Sequence, residues 1–259
     1  MSTLALITGA SGGIGEELAR IMAAEKNDLI LVARSKAKLE TLAVELQKAH
    51  GIKCYVVDLD LARHGAALEL YNRVVSLNLK PQILVNNAGF GEVGTFHENQ
   101  TRKIEEMLTL NIETLTMLTR YFLPDLVKQK TGRILQVAST AAFLPGPYMA
   151  VYYASKAYVL HFSEALSIEL KGTGVTVTAL CPGPVPSGFQ ARANMKNDLM
   201  KLPGIMSPHA VAQIGYNALM KGKSYVIPGF LNWLSAFTVR FSPRCLVPLV
   251  VARLNRNRT

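Results

Sequence analysis

The chain has 259 residues, of which 49% are hydrophobic and 18% are charged, so a large buried core is expected and disorder is not. Its formal net charge of +10 suits an anionic ligand, an acidic carrier protein or an anionic membrane, with a solvated basic surface as the alternative. No basic run is interleaved with aromatic residues, which argues against nucleic acid as a partner. The 3 cysteines lack ligand or redox spacing and the 5 histidines form no cluster, so we expect neither disulfides nor a metal site.

The first residues show no basic and apolar leader, and no apolar run approaches the roughly 20 residues that span a bilayer. We therefore expect a cytoplasmic protein, for which contact with a membrane surface stays open.

Short apolar runs alternate with helical patterns along the chain. The apolar runs cover residues 4–7, 29–32, 54–57, 83–85, 134–137, 175–180 and 225–227. The helical patterns cover residues 14–24, 35–49, 63–77, 100–128 and 152–170. Because the apolar runs are mostly continuous, they are typical of strands that helices bury on both faces. The sequence therefore predicts one α/β domain over residues 1–259, a doubly wound parallel sheet of the Rossmann type with about seven strands.

A glycine-rich loop joins the first predicted strand to the first predicted helix. Glycines let the backbone turn tightly and approach a pyrophosphate, whose charge is held by the helix amides and the positive end of the helix dipole. We expect a dinucleotide to contact Gly9, Ser11, Gly13, Ile14 and Gly15.

The same loop also matches the GxSxG nucleophile elbow of hydrolases, with Ser11 at its centre. That architecture needs earlier strands and an upstream loop to complete its oxyanion hole, and only 8 residues precede Gly9. The position of the loop therefore favours a dinucleotide site over a hydrolase.

The residues after the second predicted strand indicate which dinucleotide binds. An acidic residue there bonds the ribose 2′-hydroxyl of NAD(H), whereas an arginine accepts the 2′-phosphate of NADP(H). The chain has Arg34 and no carboxylate, which favours NADP(H) over NAD(H); a solvated arginine at a strand end is the alternative. Asp58 and Leu59 close the third strand and are expected beside the adenine, unless Asp58 is only a turn residue.

Tyr152 and Lys156 lie four residues apart at the start of a predicted helix and so share one face. A free tyrosine has a pKa of about 10, and a nearby cation lowers that pKa and makes the phenol usable as a general acid. By itself the pair is equally well explained by an ordinary amphipathic helix. Tyr153, three residues from Lys156, is a second candidate partner.

The chain resembles the short-chain dehydrogenase/reductase family closely over residues 4–190 and in general layout to about 229. Thr8, Gly9, Gly13 and Gly15 match the family's TGxxxGxG loop. The later matches are the NNAG motif with Asn87, Ala88 and Gly89, the catalytic tetrad Asn111, Ser139, Tyr152 and Lys156, and the PG turn with Pro182, Gly183 and Val185. The likeness to NADP-dependent carbonyl and 3-oxoacyl reductases implies that these residues form one cofactor and catalytic site.

The resemblance implies a role for each member of the tetrad. Ser139 would donate a hydrogen bond to the substrate oxygen as charge develops, and Tyr152 would pass the proton while the nicotinamide passes hydride. Lys156 would lower the pKa of Tyr152 and hold the nicotinamide ribose together with it. Asn111 would connect the lysine to a chain of waters. The family's motif favours Tyr152 over Tyr153 as the acid.

Two positions depart from the family pattern. The family often has PGxVxT where this chain has Ser187 in the last place, so Ser187 is the candidate for the bond to the nicotinamide amide. Gly12 stands where many NADP-using relatives have a basic residue. The expected preference for NADP(H) therefore depends on Arg34 and the missing carboxylate.

A substrate lid is expected over residues about 184–206, where apolar residues are mixed with polar ones. Methionines in such a segment adapt to varied apolar shapes. Residues expected to face the same pocket are Phe143, Leu144, Pro147, Tyr148 and Met149, and those expected on the lid are Phe189, Met195, Leu199, Met200 and Leu202. We expect a small hydrophobic carbonyl or alcohol, such as a ketone, a 3-oxoacyl compound or a steroid-like molecule. Ordinary loop packing is the alternative.

The C-terminal tail, residues about 230–259, combines apolar residues at helical spacing with arginines. Such a tail suits peripheral contact with an anionic membrane, packing on another subunit or covering the substrate mouth. Members of the family often oligomerise through two long helices, here predicted around residues 101–128 and 152–170, so we expect a homodimer or homotetramer.

The leading functional hypothesis is an NADP(H)-dependent carbonyl reductase or alcohol dehydrogenase. The alternative from another class is a non-catalytic NADP-binding sensor or scaffold of the same fold. The tetrad favours the enzyme, because a scaffold gives no chemical reason to keep Ser139, Tyr152 and Lys156 together. An epimerase or dehydratase of the longer family branch has a different glycine spacing and needs a larger C-terminal substrate domain.

Overall fold

The computed structural model describes residues 3–189, 193 and 205–256, and it confirms the predicted α/β fold. The strands are β1 (Leu4–Thr8), β2 (Asp28–Ala33), β3 (Cys54–Asp58), β4 (Ile83–Asn86), β5 (Gly132–Val137), β6 (Val175–Leu180) and β7 (Tyr225–Val226). The α-helices are α1 (Gly13–Ala24), α2 (Lys36–His50), α3 (Ala66–Ser76), α4 (Thr101–Leu108), α5 (Leu115–Lys128), α6 (Ala150–Glu169), α7 (Pro208–Met220), α8 (Phe230–Thr238) and α9 (Val247–Arg256).

The strands form one parallel sheet in the order β3-β2-β1-β4-β5-β6-β7. Strand β1 lies between β2 and β4, where Leu6 pairs with both Ile30 and Leu84. The strand order reverses at this point, and open α/β sheets bind ligands in the crevice outside the carboxyl ends of the strands at such a switch point. The fold therefore places a binding crevice beyond Thr8 and Asn86.

Helices cover both faces of the sheet. On one face α1, α2 and α7 bury side chains that include Leu18, Leu39 and Leu219. On the other face α3 and α5 bury side chains that include Leu70 and Phe122. Burial of one such side chain stabilises the fold by roughly 1.5–3 kcal/mol. With apolar layers on both sides, a central strand such as β1 is buried along its whole length, which explains its continuous apolar sequence.

The helix predicted over residues 100–128 is divided by a π-helical segment, Thr109–Thr114. A π turn holds more residues than an α turn and shifts the side chains it contains relative to the rest of the helix. Asn111 lies in this segment and is 1% exposed. The interruption therefore sets the direction of the one tetrad residue that lies on this helix.

The C-terminal tail, where the sequence shows apolar residues at helical spacing, contains two helices. Helix α8 is followed by a 3-10 turn, Val239–Phe241, and then by α9. Before them, Ser207 caps α7 by accepting a hydrogen bond from the Ala210 amide at 3.2 Å, with Pro208 first in the helix. Among the residues described here, no helix is long and apolar enough to cross a membrane.

Candidate active site

A cleft of about 790 Å³ opens at the carboxyl ends of the central strands. The cleft is lined by the glycine-rich loop, the residues after β2 and β4, Ser139, the start of α6 and the turn after β6. The sequence-predicted site residues that line the cleft are Gly9, Ser11, Gly13, Ile14, Arg34, Leu59, Asn87, Ala88, Gly89, Ser139, Tyr152, Lys156, Pro182, Gly183 and Val185. Gly15, Asp58 and Asn111 are not among the lining residues.

The glycine loop is too crowded for a side chain at Gly9 and Gly15. A Cβ atom on Gly15 would lie 2.4 Å from both the Gly9 carbonyl oxygen and Nδ2 of Asn87, and Gly9 itself has φ +69°. Gly12, the N-cap residue of α1, provides no side chain to bond the first helix amides. The loop thus brings bare backbone and a positive helix end to the cleft, which fits a pyrophosphate.

Asn87 and Thr8 hold this loop in place. Asn87 Nδ2 donates to the carbonyl oxygens of Thr8 and Gly9 at 2.9 and 3.2 Å. Thr8 Oγ1 accepts from the amides of Asn87 and Ala88 at 3.0 and 3.1 Å. The NNAG segment and the glycine loop are therefore a single hydrogen-bonded unit. The sequence motif included Thr8 but gave no sign of this bracing role.

Arg34, the residue predicted to contact a 2′-phosphate, lines the cleft, and its side chain is 61% exposed. Lys38, on the first turn of α2, and Asp60 also line the cleft, and Asp60 Oδ2 is 4.0 Å from Arg34 Nη1. Leu59 lines the cleft as predicted, whereas Asp58 does not. Sequence reasoning missed Lys38 and Asp60; the position of Lys38 in the first turn of the helix that follows Arg34 was an available signal.

Ser139 follows β5 and caps a short 3-10 helix, Thr140–Phe143. Its Oγ accepts from the Ala141 amide at 3.1 Å and donates to the Pro182 carbonyl at 3.4 Å. These contacts link the serine to the PG turn after β6. Ser139 is therefore held at the cleft by backbone groups of the 3-10 helix after β5 and of the turn after β6.

Tyr152 and Lys156 share one face of α6, as the spacing predicted. Lys156 Nζ lies 5.8 Å from the centre of the Tyr152 ring and donates to the Val137 carbonyl at 2.8 Å. Burial lowers the pKa of the Lys156 ammonium to about 8. Burial also raises the pKa of the nearby Cys181 thiol to about 12, so this cysteine supplies no anion to the lysine near neutral pH.

Asn111 stands behind the cleft wall. Its Nδ2 donates to the Phe90 carbonyl at 2.9 Å and to Ser155 Oγ at 3.1 Å, and its Oδ1 accepts from the Phe90 amide at 3.2 Å. A Cβ atom on Gly89 would lie 3.1 Å from Asn111 Oδ1 and 3.3 Å from Lys156 Nζ. Gly89 thus separates the asparagine from the lysine, and only a glycine leaves the space between them open.

Tyr153 has a different environment from Tyr152. Tyr153 also lines the cleft, but it is 8% exposed and its hydroxyl donates to Asn255 Oδ1 in α9 at 3.4 Å. Tyr152 packs against Phe189, with ring centres 5.3 Å apart. The two neighbouring phenols therefore point to different partners.

The predicted substrate pocket is only partly as expected. Met149 and Phe189 line the cleft, but Phe143 and Leu144 do not: Phe143 packs with Val159 in one core cluster, and Leu144 in another. Pro147 and Tyr148 also lie outside the cleft lining, and both contact α9. Phe143 ends the 3-10 helix and Leu144 follows it, and both side chains pack in core clusters. Most of the predicted lid, 190–192 and 194–204 with its Met195, Leu199, Met200 and Leu202, lies outside the described residues.

Ser187 lies against the phosphate loop. A Cβ atom on Gly13 would lie 3.1 Å from Ser187 Cβ, and Ser187 Oγ accepts from the Phe189 amide at 3.3 Å. Gly183 is in contact with α8, since a Cβ atom there would lie 2.5 Å from Asn232 Oδ1. The turn after β6 thus links the cleft to the C-terminal helices.

Comparison with known proteins shows the family to which this fold belongs. Residues 3–198 match the short chain dehydrogenase family model. Ketoacyl reductase HetN from Nostoc sp. is 32% identical over 222 residues, covering 86% of this chain and 77% of that protein. A very-long-chain 3-oxoacyl-CoA reductase from Phaeosphaeria nodorum is 30% identical over 266 residues, covering 98% of this chain and 75% of that protein. The solved short-chain dehydrogenase from Sphingobium yanoikuyae in complex with NADPH has a TM-score of 0.83 at 31% identity, covering 92% of this chain and 94% of that chain.

The fold and these matches make the chain an oxidoreductase with a site for a nicotinamide cofactor. The chain belongs to the short-chain dehydrogenase/reductase family. The family resemblance predicted from the sequence motifs is thereby confirmed, and the hydrolase interpretation of the glycine loop is excluded.

Proposed function

We propose that the protein is an NADP(H)-dependent reductase of hydrophobic carbonyl compounds, or the dehydrogenase of the corresponding alcohols, with Tyr152 as the general acid and base. The observation that carries the proposal is that Ser139, Tyr152 and Lys156 line the same cleft as the glycine loop and Arg34. One ligand-sized space therefore joins a cofactor site to a proton-transfer site.

The described residues fit the cofactor at three places. The crowded glycines and the amides of α1 suit the pyrophosphate. Arg34 and Lys38 offer two cations for the 2′-phosphate, although Asp60 lowers the net positive charge there. The nicotinamide end would lie against a wall formed by Asn87, Ala88, Gly89, Pro182, Gly183 and Val185. The cofactor supplies or accepts the hydride.

The protein's own groups handle the substrate oxygen. The Ser139 hydroxyl donates a hydrogen bond to this oxygen and stabilises the charge that develops on it. In reduction the substrate carbon receives the hydride and the oxygen receives the Tyr152 proton, and oxidation reverses both transfers. Lys156, buried and one turn along the helix, favours the phenolate. Asn111 positions the start of α6 through Ser155, whose Oγ donates to the Tyr152 carbonyl at 2.7 Å.

The substrate end of the cleft is apolar. Met149, Phe189 and Ala141 line it beside the Tyr152 ring. The named relatives act on ketoacyl and 3-oxoacyl-CoA compounds. We therefore place 3-oxoacyl thioesters first among the candidate substrates, ahead of bulky ketones and steroid-like molecules.

A substrate panel tests the proposal. Purified protein is mixed with NADPH and with 3-oxoacyl thioesters, ketones and quinones, and NADPH oxidation is followed by absorbance; NADH is compared in parallel. We expect turnover of at least one hydrophobic carbonyl compound, with NADPH preferred. NADPH binding without turnover of any compound, or turnover unaffected by Tyr152→Phe, would contradict the proposal, and the first result would favour a non-catalytic sensor or scaffold.

We further propose a cytoplasmic homodimer or homotetramer that uses the long helices. Leu108 on α4 is 42% exposed, and Tyr158 and Ile168 on α6 are 37% and 60% exposed, so both helices carry apolar side chains at the surface. Sedimentation velocity tests this: wild type should sediment as an oligomer and Ile168→Arg as a smaller species. Val44→Arg, at a similarly exposed site on α2, is the control. A monomeric wild type would contradict the proposal.

A further inference from the structure

A series of aromatic rings lies exposed along α8 and the turn after it. We define the aromatic stripe as Phe230, Trp233, Phe237 and Phe241; successive ring centres are 5.9, 5.3 and 5.2 Å apart. Phe230 and Phe241 are 71% and 75% exposed. The spacing of three or four residues puts the rings on one face of the helix. A contiguous aromatic surface of this kind marks an interaction site.

Helix α9 carries a second exposed apolar face. We define the α9 stripe as Leu246, which precedes the helix, with Leu249, Val250 and Leu254, all of them exposed. The opposite face of α9 is anchored: Val251 and Asn255 are buried, and Asn255 bonds Tyr153 and the Pro147 carbonyl. The helix is thus fixed to the protein on one side and presents leucines on the other.

The charged side chains of the C-terminal region are all basic. Arg240, Arg244 and Arg253 are exposed among the apolar residues, and no acidic residue follows Asp198 in the sequence. Arginines next to exposed aromatic and aliphatic side chains suit a surface that offers both phosphate groups and an apolar interior.

We propose that the aromatic stripe, the α9 stripe and their arginines dock onto the surface of an anionic phospholipid bilayer. The rings and leucines enter the boundary between headgroups and acyl chains, and the arginines contact lipid phosphates. A two-fold related second copy fits less well, because a self-complementary interface would bring like-charged arginines together with no carboxylate in the segment to pair them.

The two helices that carry the docking surface contact residues of the cleft through side chains outside the stripes. Asn232 on α8 contacts Gly183 of the cleft wall, and Asn255 on α9 holds Tyr153, the neighbour of Tyr152. If the proposed reductase function holds, docking places the substrate mouth beside the bilayer. The substrate class is then a carbonyl compound that partitions into membranes.

Vesicle flotation of the full-length protein tests the docking. Vesicles of phosphatidylcholine alone are compared with vesicles that also contain phosphatidylglycerol, at low and high salt. We expect wild type to float with the anionic vesicles at low salt and much less with neutral ones or at high salt. Phe230→Asp/Phe241→Asp should abolish flotation. Arg240→Glu/Arg244→Glu should lower the partition coefficient by at least about 20-fold, since each basic residue near an anionic surface contributes about fivefold.

Control variants carry the same changes elsewhere on the surface. Val44→Asp and Lys48→Glu/Lys53→Glu, at exposed sites on or near α2, should float like wild type. Failure of wild type to float with anionic vesicles, or flotation of Phe230→Asp/Phe241→Asp at the wild-type level, would overturn the proposal. Dissociation of an oligomer by that variant without any vesicle binding would identify the surface as a subunit interface and also overturn it.

Reductase activity on a water-soluble carbonyl compound, without vesicles, separates this proposal from the proposed function. Absence of vesicle binding by the wild-type protein, with turnover present, refutes the docking alone. Vesicle binding without NADPH-dependent turnover refutes the reductase alone.

Discussion

The phenol of Tyr153 donates to Oδ1 of Asn255, a residue 102 positions along the chain, at 3.4 Å. Asn255 also donates to the Pro147 carbonyl at 2.8 Å, so it holds α9 on the loop that precedes α6. This contact gives the second tyrosine of the Tyr152-Tyr153 pair a structural partner. The neighbouring tyrosine, Tyr152, is the one whose ring lies beside Lys156.

We predict that Tyr152→Phe abolishes turnover and leaves NADPH binding nearly unchanged, because the substitution removes only the proton donor. Loss of a general acid costs at least about 10²-fold in rate. Tyr153→Phe is the matched control and should keep most activity. Steady-state kinetics and NADPH fluorescence titration measure the two effects. A dead Tyr153→Phe with an active Tyr152→Phe would show that the acid is assigned to the wrong residue.

We predict that Lys156 makes stability rise with pH between about 8 and 10.5, its folded and ordinary pKa values. Below pH 8 the lysine is charged in the folded and unfolded chain, and the cost of burying the charge is fully present. Between the two values the folded chain loses the proton first, so the free energy of unfolding rises, by up to about 3 kcal/mol.

Urea unfolding of wild type and Lys156→Met at both ends of this pH range measures the effect. Subtracting the free energy of unfolding of Lys156→Met from that of wild type cancels the contributions of the other titrating groups. This difference should increase as the pH rises. A difference that stays constant across the range would show that burial does not depress this pKa.

We predict that Arg34→Ala weakens NADPH binding by about tenfold or more and leaves NADH binding nearly unchanged, because a charged hydrogen bond to the 2′-phosphate is lost. Lys36→Ala is the control: Lys36 lies close by, pairs with Glu40 at 3.9 Å and does not line the cleft. Isothermal titration calorimetry with NADPH and with NADH gives the ratio of the two dissociation constants for each protein. An equal loss of affinity for NADPH and NADH would mean that Arg34 does not contact the 2′-phosphate.

We predict that Gly15→Ala destabilises the protein by about 1–3 kcal/mol and weakens cofactor binding, because the new methyl group meets the Gly9 carbonyl and Asn87. Gly12→Ala is the matched control, since a Cβ atom there meets nothing within 4 Å and its φ of 167° is extended. In thermal unfolding, the melting temperature of Gly12→Ala should be close to that of wild type. Similar melting temperatures for both variants would contradict the close packing of the loop.

Much of the site could be predicted because its motifs are local in sequence. The glycine loop follows a strand directly, and Tyr152 and Lys156 meet through helix geometry alone. Asp58 shows the limit of this approach: it ends β3 and does not line the cleft, whereas Leu59, which was predicted with it, and Asp60, which was not predicted, do. Phe143 and Leu144 were also misplaced, since both pack in core clusters.

The sequence by itself determined the sheet, the cofactor loop and the tyrosine–lysine pair, since all of these follow from hydrophobic periodicity and short-range spacing. Only the tertiary structure decided how distant segments meet. It showed Asn87 bracing Thr8 and Gly9, Lys156 reaching the Val137 carbonyl, and α9 anchored on Tyr153. These contacts join residues 19 to 102 positions apart, and their geometry depends on how the whole chain packs. No local pattern contains that information.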